Sequence, residues 1–209
     1  MIDQKCLSRM FLTAATLLKK ESDGLSEIDS RFGDGDHGVT IAKIAQTIER
    51  KVADWSTMSL HDWLETLGDA VMEVGGGSAG PLYGTMIGGL AAPLTDQSGI
   101  DPSMLKAMLA GSRDAMLDIS KARIGDKTMM DALLPAVDAA LHAPDSTHAI
   151  LDAAAQAASE GAQKSRNFIS RFGRAKSYKE QTIGTPDAGA VSTAIFFQGL
   201  AEGAHKAGS

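Results

Sequence analysis

The sequence predicts an all-α fold: eight antiparallel amphipathic helices in an up-and-down barrel, with a ligand site at one rim. Two observations predict the helices. Apolar residues recur every three or four positions along most of the chain, and no stretch alternates convincingly as a strand. A third predicts the rim: the connections between helices alternate between motif-rich and plain. The 209 residues read as one domain, 1–209, long enough to bury a full core without staples.

The first helix carries Leu7, Met10, Phe11, Ala14, Leu17 and Leu18 on one stripe. The second sets Ile41, Ile44, Ala45, Ile48 and Val52 opposite Lys43, Gln46, Glu49 and Arg50. Ser59 and Asp62 form a capping pair ahead of the third, whose stripe is Leu60, Leu64, Leu67, Val71 and Val74. Pro81 suits a first helical position and opens the fourth, which reaches about Leu90. Asp101 and Pro102 are an N-cap and a permitted first-turn proline before Leu105, Met108, Leu109, Met116 and Ile119. The sixth helix carries Met130, Leu133, Leu134, Val137 and Leu141 and stops before Pro144. The seventh runs from Ser146 or Thr147 through an alanine-rich stretch to about Ser170. The eighth starts at Asp187 and ends near Ala204. Its strand-prone Val191, Thr193, Ile195, Phe196 and Phe197 leave an extended alternative open for part of it.

Composition narrows the function. With 20 Lys+Arg against 26 Asp+Glu the net charge is −6, and no basic run exists to grip nucleic acid or an anionic membrane. No apolar run approaches the roughly 18 residues that cross a bilayer. The N-terminal segment interrupts its apolar pattern with Asp3, Lys5 and Arg9, unlike a signal peptide. The single cysteine, Cys6, cannot form an internal disulfide. A cytoplasmic globular protein is expected. Its 22 glycines concentrate attention on the loops.

In an up-and-down arrangement the first, third, fifth and seventh loops (22–38, 75–80, 120–127 and 172–186) share one end. They hold the carboxylates, a histidine, the glycine runs, Lys127 and Arg174. The loops around Trp55, Thr95 and Pro144 are plain, with Trp55 and Trp63 expected to pack at the far end. His61-Asp62 is a lone pair with no further His and Asp in register for a metal phosphohydrolase.

The first loop contains Asp29, Asp34 and Asp36 within eight residues, followed by His37. Carboxylates so close repel unless a cation or solvent neutralises them, and Mg²⁺ near phosphates takes a few carboxylates with phosphate oxygens and water. The competing reading is a solvated acidic turn with Asp36 capping the next helix. An EF-hand does not fit, because the twelfth position from Asp34 is Ala45 and from Asp29 is Thr40. The third loop, Gly75-Gly76-Gly77-Ser78-Ala79-Gly80, matches G-x-G-x-x-G, yet a helical stripe rather than a strand precedes it. Its amides still make an anion site where they run into a helix N-terminus. The fifth loop places Lys127 between Asp126 and Thr128, without the upstream glycine of a P-loop. Asp126 or Thr128 would cap the sixth helix, and Met129 and Met130 would be either a purine wall or plain core. The seventh loop is the longest, of a length usually functional or disordered. Arg174, a planar five-donor fork, is its natural phosphate partner.

Four motifs in this order resemble one family: GDGDHG (33–38), GGGSAGPLYGT (75–85), GDKTMMD (125–131), and GRAKSY (173–178) followed by IGTPDAGA (183–190). Over nearly the whole chain the sequence is similar to the nucleotide-binding L subunit of dihydroxyacetone kinases, a module that also forms the C-terminal domain of single-chain enzymes. The resemblance implies a barrel of eight antiparallel helices binding ADP or ATP at one rim through two Mg²⁺ ions. It assigns the metal to Asp29, Asp34 and Asp36. Nucleotide contacts fall on His37, Gly38, Thr40, Gly77, Ser78, Ala79, Met129, Arg174 and Asp187, with Arg174 as the catalytic residue. It further implies phosphoryl transfer to a hydroxyl of a short ketose that a separate K-type subunit holds covalently on a histidine. The chain would then be inactive alone and would work as a homodimer or hetero-oligomer.

The chain departs from the family in the lid, where Gln181 and Thr185 stand in place of a frequent arginine and histidine. The acceptor, dihydroxyacetone or a ketose such as erythrulose, stays open. So does whether a phosphotransferase-system subunit recharges retained ADP or ATP exchanges each turnover. The alternatives are a catalytically silent, nucleotide-loaded regulatory or docking module, favoured by loss of an aspartate, and a Mg²⁺-dependent phosphohydrolase with His37 as its base.

Overall fold

Helix α9 (Ala188–His205) returns to pack along α1 (Gln4–Lys20), and this contact closes the chain into a ring. Gly199 makes the approach possible, since a methyl there would overlap the backbone of Ala14. The computed structural model describes residues 1–95 and 97–206. Between the two closing helices the order is α2 (Ser22–Ser30), α3 (His37–Ala53), α4 (Leu60–Met72), α5 (Ala79–Gly88), α6 (Pro102–Ile119), α7 (Met130–His142) and α8 (Thr147–Lys164). Neighbours pack as α1–α3–α4–α5–α6–α7–α8–α9 and back to α1, which is the expected all-α barrel. Among the described residues there is no strand, only an isolated antiparallel bridge between Ile2 and Ile100. No helix among them is long and apolar enough to cross a membrane.

Eight of the nine α-helices among the described residues answer to the eight read from periodicity. The ninth, α2, lies inside the first loop. It is nine residues long with only Leu25 buried, so it offers almost no apolar stripe, and it is stabilised by packing on α3. Two boundaries also shift. Helix α5 begins two residues before Pro81, and α8 ends at Lys164, passing through a short 3₁₀ turn (Ser165–Asn167) rather than reaching Ser170. The seventh loop contains a 3₁₀ stretch, Arg174–Thr182, interrupted at Lys179 with φ 50°. The strand-prone residues of α9 are helical throughout.

The caps behave as the sequence suggests. Ser59 accepts from the Asp62 amide at 3.0 Å and Asp101 from Met104 at 2.7 Å, two of the donors a helix start leaves without partners. At the barrel centre Phe11 packs edge-on to Trp63 (centroids 5.3 Å) and Phe196 (5.9 Å), and Phe196 edge-on to Tyr83 (6.2 Å). At the plain end Trp55 stacks on Trp63 at 3.9 Å, while their indole N–H groups donate to Met58 O and Lys51 O. Trp55 and Trp63 are therefore packing residues, and the opposite rim is left to the glycine-rich and acidic loops.

Candidate functional site

One cavity of about 800 Å³ opens at that rim, and its wall draws on all four motif-rich loops. Asp29 belongs to the last turn of α2, with Asp34 and Asp36 in the turn that leads into α3. One oxygen from each carboxylate lies within 4.8 Å of the others. The Gly35 amide donates to Asp29 Oδ2 at 2.9 Å, which aims that carboxylate. A side chain at Gly33 would overlap Asp29 Oδ1, so the cluster requires glycine there. Asp36 is the N-cap residue of α3 but accepts no capping bond, so its carboxylate faces the cluster instead. Burial, the Asp34 charge and hydrogen bond, and the Asp29 charge raise its pKa; Arg174 opposes them. Three oxygen-bearing side chains that repel one another around a cradle only glycine leaves open suit a hard divalent cation.

Opposite the acids, the glycine run enters α5. Gly76 and Gly77 have φ of 136° and 63°, and a methyl on Gly76 would strike the Thr40 hydroxyl. Ser78 caps α5 without a side-chain capping bond, so its hydroxyl and the first-turn amides remain available to an anion. Between these walls His37 Nε2 meets Ser192 Oγ at 2.9 Å, and Ser192 in turn accepts from Tyr83 OH at 2.9 Å. Burial pushes Tyr83 up to about 12, which keeps it a donor, and lowers His37, which favours the neutral ring. Met116, Ile119 and Met129 make an apolar wall beyond them.

The seventh loop forms the roof. Arg174 Nη1 pairs with Asp34 Oδ2, and the Tyr178 ring lies 5.2 Å from Phe32, tying the roof to the acidic loop. Asp187 caps α9, accepting from the Ala190 amide at 2.8 Å. Burial lifts its pKa to about 7, partly opposed by that hydrogen bond and by the Lys127 charge.

The structure brings Asp29, Asp34, Asp36, His37, Gly77, Ser78, Ala79, Met129, Arg174 and Asp187 onto this one cavity. Gly38 and Thr40 stand behind its wall in the first turn of α3, both buried, where Thr40 meets Gly76. The hydrogen-bond chain from His37 through Ser192 to Tyr83 had no sequence signal, since each of its two bonds joins residues more than 100 positions apart. In the fifth loop Asp126 does not cap α7. Thr128 Oγ1 accepts from the Met130 amide at 3.2 Å, and the Asp131 carboxylate accepts from Thr128 at 2.7 Å.

The fold and rim define an all-helical barrel with an acidic, glycine-lined cavity of the kind that holds a metal-bound polyphosphate. The chain belongs to the DAK2 domain family, whose description matches residues 31–202. It is 31% identical over 176 residues to the PEP-dependent dihydroxyacetone kinase ADP-binding subunit DhaL of Listeria innocua, covering 84% of each chain. It is also 31% identical to D-erythrulose kinase of Mycolicibacterium smegmatis, covering 95% of this chain but 35% of that one. The dihydroxyacetone kinase of C. freundii, solved with AMP-PNP and Mg²⁺, superposes with a TM-score of 0.70 at 26% identity over 94% of this chain and 33% of that one. The chain thus spans about a third of these longer kinases and most of the separate subunit.

Proposed function

We propose that residues 1–209 act as one nucleotide-binding domain, the phosphoryl-donating subunit of a dihydroxyacetone-type kinase that works in the cytoplasm with a separate K-type, ketose-binding subunit. The observation that carries this reading is the meeting of Asp29, Asp34 and Asp36 with Ser78, Ala79 and Arg174 around one cavity. The ADP-binding name of the Listeria innocua relative and the AMP-PNP and Mg²⁺ in the C. freundii structure support it.

In this reading the three aspartates hold Mg²⁺, two ions by family resemblance, and the metal neutralises and orients the phosphates of ADP or ATP. The α5 N-terminus and the Ser78 hydroxyl bind phosphate oxygens with amides fixed before the ligand arrives. His37, neutral and held by Ser192, contributes a hydrogen bond. Gly77, Gly38 and Thr40 shape the turn that brings those amides forward. Met129 contributes to the apolar wall for the base, and Asp187 holds the start of α9 beside it. Arg174 stabilises charge developing on the transferred group, which makes positioning and neutralisation the whole of this chain's chemistry. The acceptor would be a hydroxyl of a short ketose presented by the partner, dihydroxyacetone or erythrulose. The donor would be either exchanging ATP or retained ADP recharged by a phosphotransferase-system subunit. All three aspartates are present, which disfavours a silent docking module.

The test is ³¹P NMR of the chain with MgATP, with and without a K-type subunit and dihydroxyacetone. A phosphomonoester formed only when all components are present supports the proposal. Steady phosphate release by the chain alone contradicts it and favours hydrolysis.

A further inference from the structure

Lys127 is the unusual residue of the fifth loop. It is 4% exposed, and its φ of 61° places a non-glycine residue in the left-handed region. The Asp131 carboxylate imposes that turn, accepting from Gly125 N at 2.5 Å and Thr128 N at 2.7 Å. The lysine therefore lies beneath the roof, in the part of the cavity wall that Thr185 and Asp187 also line. Its ammonium donates to three backbone carbonyls: Ser165 at 2.8 Å, Phe168 at 3.1 Å and Thr185 at 2.5 Å. Three donors meet three acceptors, so the group is fully used.

Those acceptors are spaced along the roof. Ser165 is where α8 ends, Phe168 begins the excursion, and Thr185 ends it just before α9. Neighbouring contacts close the same neck. Gly184 N donates to Arg166 O at 2.7 Å, Ser170 N to Thr182 Oγ1 at 3.1 Å, and Arg171 N to Asp126 O at 3.1 Å. Everything between, including Arg174 and Tyr178, starts and ends at this knot, with the Asp34 and Phe32 contacts as further ties to the acidic loop.

We propose that Lys127 is a positioning residue, whose buried ammonium ties together the two ends of segment 168–185 and so sets where Arg174 sits over the carboxylates. Its catalytic consequence rests on the nucleotide-kinase reading above; the anchoring itself does not. A charged donor suits the task, because hydrogen bonds from an ammonium are about twice as strong as neutral ones, and its removal strands three inward-facing carbonyls together.

The test is hydrogen exchange by mass spectrometry on the full ligand-free chain, comparing wild type with Lys127→Met, which keeps length and volume. Exchange in 168–185 should accelerate by roughly tenfold or more while α1 and α9 keep their wild-type rates, a difference of about 1.4 kcal/mol in local opening. A lysine that merely stabilises the barrel would accelerate all segments together, and that result overturns the proposal, as does an unchanged roof. If Lys127→Met does not fold, the wild type decides alone. Across a urea series 168–185 and 123–131 should open as one unit; a roof exchanging at free-loop rates over a protected 123–131 overturns the anchor. The kinase consequence is separate: turnover with the partner should fall about 10²-fold with MgADP affinity within about threefold, as expected for misplacement of a catalytic group by an ångström or so. If the wild type shows no MgADP protection of the roof, the nucleotide reading fails while the exchange comparison still judges the anchor.

Discussion

Arg174 and Asp34 form an ion pair across the mouth of the cavity, joining the proposed catalytic arginine to one of the proposed metal ligands. Their side chains are 71% and 36% exposed, so the pair is of the weak, solvent-screened kind and readily exchanged. A cation taken up by the three carboxylates competes with Arg174 for Asp34. Metal loading would thus free the guanidinium for the phosphates, linking the roof to the occupancy of the acidic turn.

Arg174→Ala should separate these roles. Without the guanidinium the carboxylates lose their neighbouring positive charge, so Mg²⁺ alone should bind the free chain a few-fold more tightly by calorimetry. Turnover with the partner subunit should fall by roughly 10²-fold, the scale of removing one donor to developing charge. Unchanged turnover would take Arg174 out of catalysis.

Asp34→Asn should abolish Mg²⁺-dependent ADP binding while the far-ultraviolet circular dichroism stays wild type, because Asp34 is exposed and outside the helices. Persistent MgADP affinity would show that the acidic turn is only a solvated loop.

Gly33→Ala isolates the cradle. The backbone at Gly33 is not left-handed, so the main cost of the methyl is its overlap with the Asp29 carboxylate and carbonyl. The melting temperature should move little, while Mg²⁺ affinity falls about tenfold as Asp29 is displaced, equivalent to roughly 1.4 kcal/mol. Wild-type metal affinity in this variant would mean that Asp29 is not a ligand.

Asp187 gives a pH dependence of defined sign. Its pKa is about 7 in the folded chain against an ordinary value of 3.8. In the unfolded chain the proton leaves first, so the unfolded state holds fewer protons between those values. The contribution of this group to stability is complete below pH 3.8 and is lost as pH rises toward 7. Urea unfolding of the metal-free protein should therefore show wild type losing stability relative to Asp187→Asn from pH 4 to pH 7. A difference that is flat or rises with pH would place the Asp187 pKa at or below its ordinary value.

All the α-helices but α2 were legible because burial follows one face in each. Ile41, Ile44, Ala45 and Ile48, read as a face, are all fully buried on α3. Segment 22–30 was not legible, since serines, Gly24 and one buried leucine give no stripe, and α3 supplies the surface on which it folds. Pro135, normally a breaker, sits inside α7; its missing N–H would have served the Asp131 carbonyl, one turn from the helix start. The residues of the rim were legible as loop motifs. Their meeting in one cavity followed from alternation of the loops, because antiparallel helices bring every second connection to the same end. What sequence could not show was the support behind them. Ser192 and Tyr83 are ordinary members of helical stripes, and only the folded barrel brings them to His37. Lys127 was visible but looked like a loop cation, because the turn that directs it inward depends on the buried carboxylate of Asp131.

A thermal-shift titration with ADP in the presence and absence of Mg²⁺, on protein freed of carried-through nucleotide, tests the proposed metal–nucleotide rim. A ligand that binds only the native state adds roughly 2.7 kcal/mol at a hundredfold excess over Kd, or about 5–10 °C for a chain of this size. A rim that binds nucleotide through its carboxylate-held metal gives that shift with ADP and Mg²⁺ together, and little with either alone. No shift with both present would contradict it, leaving a barrel whose acidic and glycine-rich loops persist without the nucleotide site they were read to form.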